Sequence, residues 1–467
     1  MQVIDDLTKV NLQQDTILTI GAFDGLHRGH QELIAAVVER ARGTDRQSAL
    51  LTFHPHPAVV LAPERAPRYL TTPGEKMALL ERLGLDLVLL LPFSRQVAAT
   101  PARQFMEKVS THLRLRELWV GTDFALGRNR EGDVPRLREL GRELGYEVQV
   151  YEPMLGGEQI ISSSRVRALL AQGRVREATE LLGRYPSLYG EVVMGAQRGR
   201  TLGFPTANLE VRPERAVPSD GVYAVFALLG SERYPAVANI GVRPSFDNGQ
   251  RTVETHILDF EQDIYGCDLV VEFVARLRAE RRFEDIDDLV AQIEQDSQAA
   301  RQLLSEEPVP AGVGTADAAV AGCPYRYQEV DHTADRALRV WGRGLPDLFV
   351  GAARGMYDLM ADLDLLVSIS WQTIRLEAWD QETLLVDWLN ELLFHTEMDG
   401  LLFVDFRIES LDAPSQLGSG SSAASLVAHV GGVHAPATGA DIKAATFHNL
   451  SLVQDESGWS TVITFDV

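Results

Sequence analysis
Cysteine is nearly absent, with two in 467 residues. Cys267 and Cys323 form no C-x-x-C pair and have no zinc-ligand spacing, so a disulfide framework and a thiolate metal cluster are set aside. Such sparing use fits a reducing compartment and leaves room for one bridge. Long apolar runs are missing as well. The longest, around Leu87–Leu91, is far short of the roughly 20 residues that span a bilayer, and Met1–Asp6 has no basic stretch with an apolar core behind it. Neither a membrane span nor a secretory leader is expected. Positive charge is also short: 44 Lys and Arg stand against 66 Asp and Glu, a balance of −22. Grip on nucleic acid or an anionic membrane needs clustered cations, so neither partner is expected, and the chain reads as cytoplasmic. No G-x-x-x-x-G-K-[ST] occurs, so any ATP pocket must hold phosphate without that loop.

What is present is material for two to four cores, at 45% hydrophobic and 24% charged residues. The stretch Gly21-Ala-Phe-Asp-Gly-Leu-His-Arg-Gly-His30 follows an apolar run, Ile17, Leu18 and Ile20, that reads as a buried strand. It precedes Leu33, Ile34, Val37, Val38 and Ala41, which share one helical face. The motif is therefore a strand-to-helix turn. Gly21, Gly25 and Gly29 let a ligand approach the backbone, and the helix start offers N–H groups and the positive dipole end, which suits phosphate. His27 and His30 can face the same anion. The plain alternative is a Gly-rich turn with two solvated histidines.

Strand-like segments at Ser48–Phe53, Leu87–Leu91, Leu118–Val120 and Glu147–Tyr151 alternate with helical periods, the pattern of a parallel sheet with a ligand crevice beyond its strand ends. From residue 189 the pattern changes to strands broken by Gly and Pro: Tyr189–Met194, Val222–Leu229, Tyr234–Ile240, Thr252–Leu258 and Leu269–Val274, closed by a helix from Ile286 to Leu304. This predicts a small antiparallel barrel. Ser305–Gly322 is small, Pro- and Gly-rich and aperiodic, a linker. Beyond it, residues 325–467 carry 8 Lys and Arg against 21 Asp and Glu, or −13, more than half of the total imbalance. Helical faces at Leu345, Leu348, Phe349, Ala352, Met356, Leu359 and at Leu385, Trp388, Leu389, Leu392 sit among strand-like segments, an α+β unit. Gly418-Ser-Gly-Ser-Ser-Ala423 fits a dinucleotide pattern by letter, but it leads into a strand, not a helix, and reads as a hairpin turn.

The H-x-G-H element resembles the nucleotidyltransferase superfamily, and Phe23-Asp24-Gly-x-His-x-Gly-His30 resembles the bacterial bifunctional riboflavin kinase/FAD synthetase family more narrowly. That resemblance implies a Rossmann-like nucleotidyltransferase domain over 1–183, in which His27 and His30 are catalytic and Gly21, Phe23, Asp24 and Gly29 line the nucleotide. It implies phosphate or flavin contacts for Asp123 and Arg128 in Gly121-Thr-Asp-Phe-Ala-Leu-Gly-Arg-Asn-Arg130, where Leu126 replaces a usual aromatic. Ile161-Ser-Ser-Ser-Arg165 is similar to the family's S-S-T-R and implies ATP contacts for Ser162, Ser163, Ser164 and Arg165. His54 and His56 in Phe53-His-Pro-His-Pro57 read equally well as site or loop histidines. Gly199-Arg-Thr-Leu-Gly-Phe-Pro-Thr-Ala-Asn208 is similar to the P-T-A-N motif of riboflavin kinase, which implies a barrel over 184–305. In it Gly199 and Gly203 close a flap, Thr206 and Asn208 hold Mg²⁺ and phosphate, and Glu254, in Val-Glu-Thr-His256, is the general base.

Residues 306–324 would be linker and 325–467 a further domain. Asp331-His-Thr-Ala-Asp335, Ala353-Arg-Gly-Met356, Ile442–His448 and Thr464-Phe-Asp-Val467 resemble archease, an activator of a tRNA-splicing RNA ligase. The resemblance implies an oxygen-donor metal site from Asp335, Asp466 and Val467 for Ca²⁺ or Mg²⁺, with His332 and His448 as structural hydrogen-bonders. The expected substrates are riboflavin, FMN and ATP with Mg²⁺, and the expected partner an RNA ligase protein. Two rivals stay open: adenylylation of another phosphate ester, and a flavin- or ATP-sensing regulator with little turnover.

Overall fold
The structure is a computed structural model that describes every residue but 11, 196–198, 200–201, 231, 243–250, 284, 308–324, 331–335, 364–365, 413–423, 436, 449 and 456–457. Most of the expected linker, the Asp331–Asp335 motif and the Gly418–Ala423 turn lie outside the described residues.

Ile17, Leu18 and Ile20 are fully or almost fully buried in the Thr16–Ile20 strand, which feeds the Arg28–Gly43 helix. That helix buries Leu33, Ile34, Val37, Val38 and Ala41, the face the spacing predicts. Each such side chain contributes roughly 1.5–3 kcal/mol where it is as large as Val or Leu. Six parallel strands lie in the order Gln2–Ile4, Leu87–Pro92, Gln47–His54, Thr16–Ile20, Leu115–Gly121, Glu147–Tyr151. The chain winds one way from Thr16–Ile20 and then the other, so the sheet's switch point lies between that strand and Leu115–Gly121. Loops 21–27 and 121–132 leave these strands at their carboxyl ends, where such sheets bind ligands.

Six antiparallel strands then close a barrel: Ser187–Val193, Ala207–Leu209, Arg251–Ile257, Glu232–Val242, Gly221–Leu229 and Asp268–Arg278, the last returning to the first. Alternate residues such as Leu188, Val192, Val253, Ile257, Leu269, Val271 and Phe273 fill it. The Ile286–Glu306 helix covers the outer face through Ala300 and Leu304, packed with Val222, Ala224 and Val274. Ala207–Leu209 is a short strand absent from the strand-like segments of the sequence, because three residues beside a Pro show no alternation and only barrel closure pairs them. Cys267 is buried and disulfide-bonded, its partner outside the described residues.

The third region joins a five-stranded and a three-stranded sheet with helices Leu345–Met360 and Gln381–Asp399. Phe349, Met356, Trp388 and Leu392 lie in its core, and Trp388 Nε1 donates to the Phe349 carbonyl at 3.1 Å. It docks on the barrel through Arg326–Asp263 at 2.8 Å, Arg354–Asp268 at 3.8 Å and Arg212–Asp362. A cavity of about 950 Å³ opens where all three regions meet, lined among others by Glu75, Arg184, Glu191, Asp268, Tyr325 and Arg354. Among the described residues, no helix is long and apolar enough to cross a membrane.

Candidate functional site
The first site is built at a helix start. His27 is the N-cap of the Arg28–Gly43 helix, and its Nδ1 accepts the His30 N–H at 3.3 Å. Accepting through Nδ1 leaves the proton of a neutral ring on Nε2. The His27 and His30 rings stack with centroids 3.6 Å apart, and Phe23 meets His30 edge-on at 5.1 Å. Burial pulls His27 down to about 4 and His30 well below its usual value, the latter also through His27. Two imidazoles in contact are therefore neutral at pH 7, and their role is hydrogen bonding before charge. His30 Nδ1 is buried and has no hydrogen-bond partner among the described residues. Burial also draws His54 down to about 4 and lowers His56, whose Nδ1 accepts the Ala58 N–H at 3.1 Å.

Asp24 is placed differently from a phosphate contact. Only 2% exposed, its carboxylate accepts from the N–H groups of Leu70 and Thr71, from Thr71 Oγ1 at 3.2 Å and from Arg167 Nη2 at 2.5 Å. A carboxylate so engaged holds the loop in shape, its charge paired with Arg167. Ser162 caps the Ser163–Ala171 helix by accepting from Arg165 N–H at 3.3 Å, and Ser163 Oγ donates to the Asp24 carbonyl at 2.8 Å. Ser164 is exposed. Arg165 Nη1 donates to the carbonyls of Gly156 and Gln159, at 2.9 and 3.1 Å, so this guanidinium braces a hairpin. Asp123 and Arg128 are exposed on the neighbouring loop, which Gly127 pins: at φ +76 it approaches Ala102 so closely that a Cβ would lie 2.6 Å from the Ala102 nitrogen. Leu126, like Phe53, Phe105 and Phe124, is partly buried against the apolar core that includes Ala102, Met106 and Val120.

Three cations here escape sequence reading. Lys76 is 6% exposed and donates to the Ala22 carbonyl at 3.0 Å, and burial lowers its pKa. Arg184 donates to the Gly25 and Leu26 carbonyls at 2.8 and 3.3 Å, and burial pulls it down to about 10. Arg167 had a legible signal, since it is four residues after Ser163 and shares its helix face, and both side chains end on Asp24. Lys76 and Arg184 had none, because each reaches the loop from far along the chain.

The second site is built on strand register. Asn208 pairs directly with Glu254, and Glu254 pairs on its other side with Asn239, so the three residues form a row across three strands. Directly paired residues share a sheet face. Glu254 and His256 are half-buried while Val253 and Thr255 point inward, as period two predicts. The Asn239 segment carries no assigned chemistry in the sequence; register alone brings it to the carboxylate. Gly195 is needed beside Asn208, for a Cβ there would lie 2.1 Å from Nδ2. Gly199 accepts from Phe204 N–H at 2.8 Å, and its Cβ would strike the Phe204 carbonyl at 2.4 Å, so the turn before Thr206 is tight. Gly203, at φ +87, is exposed in it. His256 Nδ1 lies 2.8 Å from the Pro205 carbonyl, an acceptor, so Nδ1 carries the proton and fixes the approach to half-buried Thr206.

Among the described residues, no group of three or more His, Cys, Asp or Glu could hold a metal. The Thr206 hydroxyl and the Asn208 amide oxygen are donors that fit a hard cation completing its shell on nucleotide phosphates and water. Of the third region's expected ligands, Asp335 lies outside the described residues. Asp466 ends the Gly458–Asp466 strand, its carbonyl accepting Lys443 N–H at 2.8 Å, and Val467 is 40% exposed beside it.

Residues 9–165 match the family model of FAD synthetase, 182–304 that of riboflavin kinase and 327–467 that of the archease protein family. The bifunctional riboflavin kinase/FMN adenylyltransferase of Escherichia coli strain K12 is 40% identical over 294 residues, 62% of this chain and 94% of that protein. Its Bacillus subtilis strain 168 counterpart is 35% identical over 298 residues, 63% and 94% respectively. A solved structure titled a macrolide-efflux protein from Streptococcus pneumoniae is 32% identical, with a TM-score of 0.60 over 64% of this chain and 98% of that one.

Proposed function
Because the chain belongs to the family of bifunctional riboflavin kinase/FMN adenylyltransferases, we propose a division of labour among domains 1–183, 184–305 and 325–467, the first two working in sequence on flavin. The chain is a riboflavin kinase and an FMN adenylyltransferase, and it uses ATP with a divalent metal. In the barrel, Glu254 takes the proton of the ribityl 5′-hydroxyl as that oxygen attacks the γ-phosphorus of ATP; the bond to the β,γ-bridging oxygen breaks and ADP leaves. Thr206 and Asn208 hold Mg²⁺ and phosphate oxygens, and the bound metal supplies neutralisation of phosphate charge. The observation that supports this is the direct pairing of Asn208 with Glu254.

In the first domain, an FMN phosphate oxygen attacks the α-phosphorus, the α,β-bridging bond breaks and pyrophosphate leaves. No covalent bond to protein is needed. His27 Nε2–H and the helix N–H groups donate to phosphate oxygens, the buried His30 stacks on His27, and Lys76 adds positive charge nearby. Alignment of the two phosphates is the larger part of such catalysis. Incubation with riboflavin, ATP and Mg²⁺ should yield FMN and then FAD by chromatography. FMN without FAD would leave the first domain without this role.

The third domain acts on an RNA ligase, with Ca²⁺ or Mg²⁺ on Asp335, Asp466 and Val467. The archease family match and a local balance of −13 support action on a protein before direct grip on RNA. Adding the chain to an RNA ligase should speed its guanylylation, and Asp335→Ala should abolish the gain. An equal gain with the variant would remove the metal site.

A further inference from the structure
The segment from Tyr69 to Lys76 touches the first site on one side and the barrel on the other. Toward the site, Leu70 and Thr71 N–H groups donate to Asp24, Thr71 Oγ1 accepts Gly25 N–H at 3.2 Å, and Lys76 Nζ donates to the Ala22 carbonyl at 3.0 Å. These contacts shape the turn that ends on His27. Toward the barrel, Tyr69 N–H donates to the Glu214 carbonyl at 2.7 Å and Ala216 N–H donates to the Tyr69 carbonyl at 2.8 Å, a single bridge of strand type. Residues 214–216 lie shortly after the Ala207–Leu209 strand that carries Asn208.

Arg215 sits inside that bridge, 3% exposed. Its Nη1 lies 2.8 Å from Glu75 Oε2, and its Nη2 donates to Glu75 Oε1 at 3.1 Å and to the Ser187 carbonyl at 3.2 Å. Glu75 in turn accepts Thr72 N–H at 2.6 Å, closing the capping box of the Pro73–Arg82 helix on which Lys76 rides. A buried guanidinium held by a carboxylate in two contacts fixes both partners, since either left alone would be a charge stripped of water. Arg184, at the start of the barrel, adds a second hold by donating to Gly25 and Leu26.

We infer that Arg215 is a positioning residue for adenylyl transfer supplied by the kinase barrel, acting through Glu75 and the 69–76 segment on the Gly21–His27 loop. The inference rests on the assignment of that loop to ATP. It makes the first site incomplete without the barrel beside it, and it gives the two activities a mechanical reason to share a chain.

The test uses the full chain, measuring FMN adenylylation with ATP varied and riboflavin phosphorylation separately. Arg215→Ala should raise the KM for ATP in adenylylation about tenfold, the size of coupling seen between contacting residues. Riboflavin phosphorylation should stay within about twofold, and Arg215→Lys, which keeps a cation on Glu75, should recover most of the loss. Glu75→Gln should give a similar loss, and the double variant should be no worse than the worse single one. Unchanged adenylylation in Arg215→Ala, equal loss of both activities, or additive losses in the double variant would overturn the proposal. A His27→Ala control separates the two layers: if it leaves adenylylation intact, the ATP assignment fails; if it abolishes adenylylation while Arg215→Ala does nothing, only the present inference fails.

Discussion

The two nucleotide sites proposed for this chain use opposite devices. The first is a turn between a parallel strand and a helix, where neutral, stacked imidazoles and buried cations gather at a helix N-terminus. The second is a row of polar side chains laid across three antiparallel strands, with a half-buried carboxylate at its centre. A helix start supplies donors for an anion ready-made, so the first site needs no base and suits a reaction in which an existing phosphate is the nucleophile. A strand face supplies no such field but sets side chains at fixed spacing, which suits a reaction whose nucleophile must lose a proton. In a chain of net −22, the proposed sites depend on local geometry, not on overall charge, to hold phosphate.

The sharpest break between the two is Glu254→Gln. Riboflavin phosphorylation should fall on the order of a thousandfold, within the range for a lost general base, while FAD formation from supplied FMN stays within about twofold. Separate assays with riboflavin and FMN as substrates decide it. His27→Ala is the mirror experiment and should be weaker, about a hundredfold on adenylylation, because helix N–H groups and neighbouring cations remain. Equal loss of both activities from either variant would erase the contrast.

Acidity should separate the regions in sign. His27 and His54, held neutral down to about 4 when folded and titrating near 6.5 when unfolded, add stability that is complete above pH 6.5 and lost as pH falls toward 4. Glu191 lies between barrel and third region, where burial and the carboxylates of Asp358, Asp268 and Glu210 push it up to about 7 against the pull of Arg354. A carboxyl raised in this way adds stability that is complete below pH 4.5 and lost as pH rises through 7. Glu191→Gln should therefore raise the thermal midpoint at pH 7.5 by a few degrees, about 1 kcal/mol after allowance for solvent screening, and do nothing at pH 4.5. The smallest effect is expected of Leu126→Phe. Leu126 is partly buried against the apolar core of the first domain, so a larger apolar side chain should be tolerated there and FAD formation should change less than about twofold.

Much of this was readable from local pattern. The buried face of Arg28–Gly43, the alternation of Arg251–Ile257 and the change from parallel sheet to barrel all follow from spacings within a few residues, and backbone geometry converts such spacings directly into faces. Motif resemblance singled out both loops for the same reason, since each lies within ten residues. Only the folded chain decided that Asp24 turns inward onto Arg167 and Thr71, that Arg165 braces a hairpin, and that Asn239 stands beside Glu254. Lys76, Arg184 and Arg215 also entered by this route. Each of these facts joins segments well apart in the chain, and such pairings are chosen by barrel closure and by the cost of leaving a buried charge alone, neither of which has a period that a sequence can display.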